Sequence, residues 1–227
     1  MTLRLAFILF LILFICNTLH AQRIELMLTT GMAGYSMKDL KTMNTDVQKY
    51  LQFDTQVTDN FPMTIQVGGH FALIFSKNYK LGLLYAYNST GSRVTASDYS
   101  GYYRFDNIVT GHTVGIMNGF LVYGYKAIRL DFQANGGFIA SDIKMSETLT
   151  VADTTISSAP HYTAIGFFAE PRVELSCHWK NLKGGVYLGY FITPGGKIRN
   201  GSGQKSTYTV NWSGLRFGIE IGLHQAE

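Results

Sequence analysis

From Gln22 almost to its end the chain alternates, residue by residue, between apolar side chains and polar or small ones. A period of two belongs to β-strands whose faces meet different surroundings; only residues 38 to 52 carry a helical period. Eight runs follow one another. The first sets Ile24, Leu26 and Leu28 against Glu25, Met27 and Thr29, and the second (61 to 75) sets Ile65, Val67, Phe71 and Phe75 against Gln66, His70 and Ala72. The third (80 to 89) opposes Leu81, Leu83, Tyr85 and Tyr87 to Gly82, Leu84, Ala86 and Asn88. The fourth (108 to 123) opposes Val114, Ile116 and Phe120 to Thr113, Gly115 and Gly119, with Asn118 a polar residue on the apolar side. In the later runs the second face carries charge: Arg129 and Asp131 in 127 to 141, Glu170, Arg172 and Glu174 in 162 to 178, Arg216 and Glu220 in 208 to 223. The seventh run (185 to 193) places Tyr187, Gly189 and Phe191 on that face. Pro171 inside a strand, and a slip of parity between Trp212 and Leu215, each predict a β-bulge.

The connections alternate in length. Long polar segments fall at 37 to 60, 90 to 107, 142 to 161 and 194 to 207, while 76 to 80, 123 to 126 and 178 to 183 are short. Even strand number with long loops on one side and tight turns on the other is the layout of a transmembrane barrel.

Alternation is unchanged when a barrel is turned inside out, so composition must choose between a soluble cavity barrel and a membrane one. Charged residues are only 15% of the chain, aromatics 14%, and glycines number 24. The non-apolar faces are rich in Gly, Ala, Asn, Gln and Thr, and nearly all lysine falls in loops and turns. Small residues suit a narrow interior, and aromatics such as Phe75, Tyr85, Tyr123, Tyr190 and Phe217 suit interfacial girdles. The 19 Lys+Arg against 15 Asp+Glu give a net +4, but scattered, with no nucleic-acid footprint.

Arg4 followed by an apolar run from 5 to 16 and then Ala21 reads as a secretory signal peptide over 1–21, too short for a membrane span. Its removal leaves Cys177 alone, so no internal disulfide is expected. The expected fold is therefore all-β: an eight-stranded antiparallel up-and-down transmembrane β-barrel over 22–227, in the bacterial outer membrane.

The layout, and segments such as GLRFGIEIGL (214 to 223), resemble the small bacterial outer-membrane β-barrel family, loosely that of OmpA and OmpX, with the PorT-like branch the narrower suggestion. The resemblance implies a structural, adhesive or secretion-associated protein rather than an enzyme, with outer-membrane lipid and the barrel-assembly machinery as partners. Family barrels commonly finish on an aromatic residue, whereas this chain continues past Leu223 to His-Gln-Ala-Glu, so assembly would use the Phe217 region or a looser signal.

The sharpest candidate site is the set of charges on the polar faces: Glu25, Arg129, Asp131, Glu170, Arg172, Glu174, Arg216 and Glu220. Isolated charges in a narrow barrel are costly, so they should pair or meet water. The plain reading is a structural plug of ion pairs; the sharper one is a proton or ion path. No catalytic, cofactor or metal site is expected: there is no G-x-S-x-G elbow, and His70, His112, His161, His178 and His224 lack short ligand spacing. The function expected is a noncatalytic surface barrel whose four long loops contact a partner or serve envelope integrity; the alternatives are a small-solute channel and a periplasmic ligand-binding barrel.

Overall fold

The computed structural model describes residues 23–51, 55–99 and 101–225; the leader expected at 1–21 lies outside them. Eight long strands close a ring: β1 (Arg23–Ala33), β3 (Thr64–Ser76), β4 (Tyr79–Ser97), β5 (Gly101–Tyr125), β6 (Ile128–Val151), β8 (His161–Trp179), β9 (Leu182–Phe191) and β12 (Gly214–His224). Each pairs antiparallel with its neighbour in that order, and β12 returns to β1 through a register running from Glu25 opposite His224 to Ala33 opposite Arg216. Closure leaves the ring no free edge. The eleven residues of β12 match the 9–11 that a tilted strand needs to cross a hydrocarbon layer.

The strands alternate burial as their sequences alternate polarity. Along β8, residues 163–177 switch between exposed and buried without a break, Ile165, Phe167, Val173 and Leu175 facing out and Glu170, Arg172 and Glu174 facing in. The same inversion runs round the ring, with Leu28, Ile65, Leu83, Ile116, Leu188 and Ile219 exposed while Gln66, Asn107, Gln133, Ser176 and Arg216 are buried. Asn118, on the apolar face, accepts a hydrogen bond from the Tyr79 hydroxyl at 3.2 Å.

At one end the ring strands are joined by three two-residue turns: Lys77 and Asn78, Lys126 and Ala127, Lys180 and Asn181. The opposite end corrects the expectation of four loops. Between 90 and 107, β4 and β5 continue as a paired hairpin to Ser97 opposite Tyr102. Between 142 and 161, β6 continues to Val151 and turns into β7 (Thr154–Ser158). Segment 37 to 60 forms helix α1 (Lys38–Tyr50) and β2 (Gln56–Asn60), which pairs with β4 beyond the ring; segment 194 to 207 holds β10 (Gly196–Arg199) and the start of β11 (Lys205–Val210). Period-two runs with polar residues on the outer face read as loops because the extension leaves the apolar layer while remaining sheet.

Both expected bulges are replaced by simpler solutions. Around Pro171 the β6–β8 register is unbroken, and Ala169 opposite Ile192 continues the register of Arg172 opposite Gly189. Proline only removes one ladder donor. Near Trp212 the strand ends outright: residues 211–213 separate β11 from β12, which resets the parity.

Candidate functional site

The lower lumen, nearest the short turns, is built on a conflict. The register sets Asp131 directly opposite Glu174, and like charges so placed repel. Lys80 of β4 resolves this, its Nζ lying 3.2 Å from Asp131, 3.3 Å from Glu174 and 3.0 Å from Glu25 of β1. Lys183 of β9 closes the circuit at 2.6 Å from Glu174 and 2.9 Å from Glu25. Glu25, Lys80, Glu174 and Lys183 thus form a cycle in which each charge touches two of opposite sign. Gln133 donates to Glu174 at 2.5 Å, and His70 Nε2 lies 3.1 Å from Glu25. Gly119 makes room for Lys80, since a Cβ there would lie 2.6 Å from the lysine methylenes.

One level up, Arg172 bridges Glu170 at 3.1 Å and Glu220 at 2.8 Å and stacks 4.1 Å from the Tyr187 ring centroid. Arg216 lies 3.5 Å from the Phe191 ring centroid, while its Nε and Nη2 have no hydrogen-bond partner among the described residues. The two arginines share a small recess with Gln66, His70, Gln133 and Asn135. At this level the lumen is occupied by charged and amide side chains rather than by an apolar core.

Above Phe191 the lining changes character. Phe191 stacks on Phe168 at 4.7 Å, Trp212 meets Tyr35 edge-on at 5.0 Å, and both pairs belong to a buried cluster with Met37, Leu40, Ile139, Ile143, Ile198 and Val210. Trp212 Nε1 donates to Ser141 Oγ at 2.8 Å, and Gly111 gives its ring space. Helix α1 closes the mouth: Leu40 enters the cluster, Asp39 accepts from the Thr209 backbone N–H at 2.9 Å and hydroxyl at 2.7 Å, and buried Asn44 bonds Asn60 and Ser92 at 3.3 Å each. A second cluster, Val94, Ala96, Tyr103 and Phe105, packs Met43 and Val47 of the helix against the extension.

Of the eight sequence-expected residues, seven are buried in these layers: Glu25, Asp131, Glu170, Arg172, Glu174, Arg216 and Glu220. Arg129 differs in depth, although it shares a recess with Glu25, Lys80 and Asp131. It stands half-buried in a recess at the short-turn mouth, with Lys77 and Asn78 in the wall, outside the buried ion-pair cycle. The expectation that lysine belongs to loops also fails for Lys80 and Lys183, whose burial is nearly complete. Parity could have found them: Lys80 shares the inward phase of Gly82 and Ala86, Lys183 that of Gly185 and Tyr187. Among the described residues no group of three His, Cys, Asp or Glu side chains could hold a metal ion, and Cys177 is a free, exposed thiol.

The inverted polarity answers the question that alternation left open: apolar outside and charged inside is the arrangement of a membrane-spanning β-barrel of the outer-membrane type. The fold is similar to outer membrane protein OprG from Pseudomonas aeruginosa (12% identity, TM-score 0.40, 90% of this chain and 95% of that one). It is also similar to Ail, the attachment invasion locus protein of Yersinia pestis (9%, 0.38, 89% and 97%), and to the outer membrane protease OmpT from Escherichia coli (10%, 0.34, 89% and 94%). No family model matches the sequence, and no curated protein matches it. The class is defined by the closed ring and its polarity.

Proposed function

We propose that this chain is a noncatalytic, non-conducting barrel of the bacterial outer membrane, of the OmpA and OmpX kind with the PorT-like branch as the narrower reading, whose working surface is the structured extension beyond the long-connection end. The observation that carries this reading is the two-part closure of the lumen: a cycle of buried ion pairs below and an apolar cap under α1 above. An ion path needs a passage that water can fill; against one stand the ion-paired side chains that occupy the lumen below and the packed rings of Phe168, Phe191 and Trp212 above. The sheet extension of β2, β4, β5, β6 and β7, with α1 packed on it, offers a firm platform for a partner or for envelope contacts. With the short turns toward the periplasm, as in barrels of this class, that platform faces the cell exterior.

Purified protein in planar bilayers should show negligible steady conductance. A large, reproducible conductance that loses ion selectivity on Glu174→Gln would replace the plug with a channel. Recovery of the native protein as a soluble monomer after osmotic shock would remove the membrane assignment altogether. Tags near Asp98, Asp153 and Gly201 should be labelled on intact cells; labelling at Lys77 instead would reverse the orientation.

A further inference from the structure

We propose that the short-turn rim binds anionic phospholipid headgroups of the membrane leaflet it faces, an inference that rests on the membrane placement proposed above. Lys77, Lys126 and Lys180 each occupy one of the three two-residue turns at this end and are exposed. Arg23, opposite Ile74, and Arg129, opposite Gly124 and Ser176, stand half-buried just inside the same rim. Among the described residues this end presents no exposed carboxylate, because Glu25, Asp131, Glu174 and Glu220 are all turned into the lumen. The other end mixes its signs: Lys49 pairs with Asp46, and Arg93 and Arg104 both pair with Asp106.

The turn geometry fixes where two of these lysines stand. Lys126 and Lys180 each have φ of 52°, in the left-handed region. Glycine or asparagine adopts that conformation at least cost in a tight hairpin, and a residue with a long side chain is uncommon there. Ala152 holds the same conformation, φ 50°, in the two-residue turn at the other end, so the geometry belongs to the turn type; what distinguishes this rim is that both of its left-handed positions carry lysine.

The depth fits lipid phosphate. Phe75, Tyr123, Tyr125 and Trp179 are exposed on the outer face immediately before the turns, and Lys126 Nζ lies 5.3 Å from the Tyr125 ring centroid. Such aromatics settle at the edge of the hydrocarbon, and an ammonium one side chain further out reaches the headgroup layer. The cations sit on three separate hairpins round the ring rather than on one flank, so an encircling leaflet meets them all, whereas an acidic protein docking from one side would not.

The test compares vesicles of phosphatidylcholine with vesicles containing about one third phosphatidylglycerol. Spin-labelled phosphatidylglycerol and phosphatidylcholine report which lipid occupies the barrel boundary, and migration of unboiled samples reports folding. Wild-type protein should prefer the anionic lipid by roughly fivefold, the contribution of about one surface cation, and the preference should shrink in high salt. Lys77→Gln/Lys126→Asn/Lys180→Asn should fold equally well and lose most of it, while Lys38→Gln/Lys41→Gln/Lys49→Gln on α1 should keep it. No wild-type preference, or full preference in the turn variant, overturns the proposal, the first leaving an acidic periplasmic protein as occupant. Failure to insert into either vesicle would instead sink the membrane reading on which it rests.

Discussion

Below the level of Arg216 the barrel is filled by Glu25, Lys80, Asp131, Glu174 and Lys183; above it, by Tyr35, Phe168, Phe191 and Trp212. The lower half is closed by residues that belong wholly to ring strands, each aimed inward by its parity. The upper half adds, to ring residues such as Phe168 and Phe191, segments that leave the ring and return over its mouth, α1 and residues 205–213. The first kind of closure is local pattern; the second depends on packing between segments far apart in sequence, such as Asp39 with Thr209 or Trp212 with Ser141. Energetically they differ too, since buried ion pairs hold only while every partner is present, whereas apolar packing weakens in proportion to what is removed.

The largest expected effect lies in the lower half. Lys183→Met leaves Glu25 and Glu174 with one shared lysine, and breaking such a pair costs about 3–5 kcal/mol. The urea midpoint of the folded, faster-migrating form should fall accordingly, and adding Glu174→Gln should recover most of the loss. A single variant as stable as wild type would mean that the cycle contributes little.

In the upper half, Trp212→Phe removes the donor to Ser141 and part of the ring that fills the cap. About 1–3 kcal/mol is expected, read by the same midpoint, with conductance still negligible because the charged layers remain. Conductance appearing in this variant would make the cap the main seal. A smaller change, Asp39→Ala, removes both bonds to Thr209 and should cost about 1 kcal/mol. Its readout is faster amide exchange in α1 with no change in the ring ladders; equal exchange would show that apolar contacts alone hold the helix.

This contrast explains what the sequence disclosed. Strand number, ring order and the inward aim of Glu170, Arg172 and Glu174 follow from a period of two and the alternation of connection lengths. Lys80 and Lys183 escaped because they adjoin turns, where lysine usually marks solvent, although their phase placed them inside. The extension beyond Thr90 escaped because hydrophobic alternation fades once a strand leaves lipid, while its hydrogen bonds continue. Residues 38 to 52 carried a helical period, but nothing in their own pattern told that Leu40 would meet the cluster around Trp212.

The smallest effect should come from the extension, outside the ring, where the electrostatics are solvated. Partial burial of Asp106 works against its ionised form, yet hydrogen bonds from Arg93, with Nε at 2.6 Å, and from Arg104 hold its carboxyl below the ordinary range. A carboxyl with a lowered folded-state pKa contributes stability above its unfolded value of about 4 and loses it as pH falls through the folded value. Amide exchange at the β4–β5 tip should therefore quicken below about pH 4 in the wild type. Asp106→Asn should be slightly less protected at neutral pH and show less of that acid response, while the ring ladders behave identically in both proteins. An equal acid response would show that the pH sensitivity of the tip does not come from Asp106, and would leave the two arginines as surface charges held by the sheet rather than holding it.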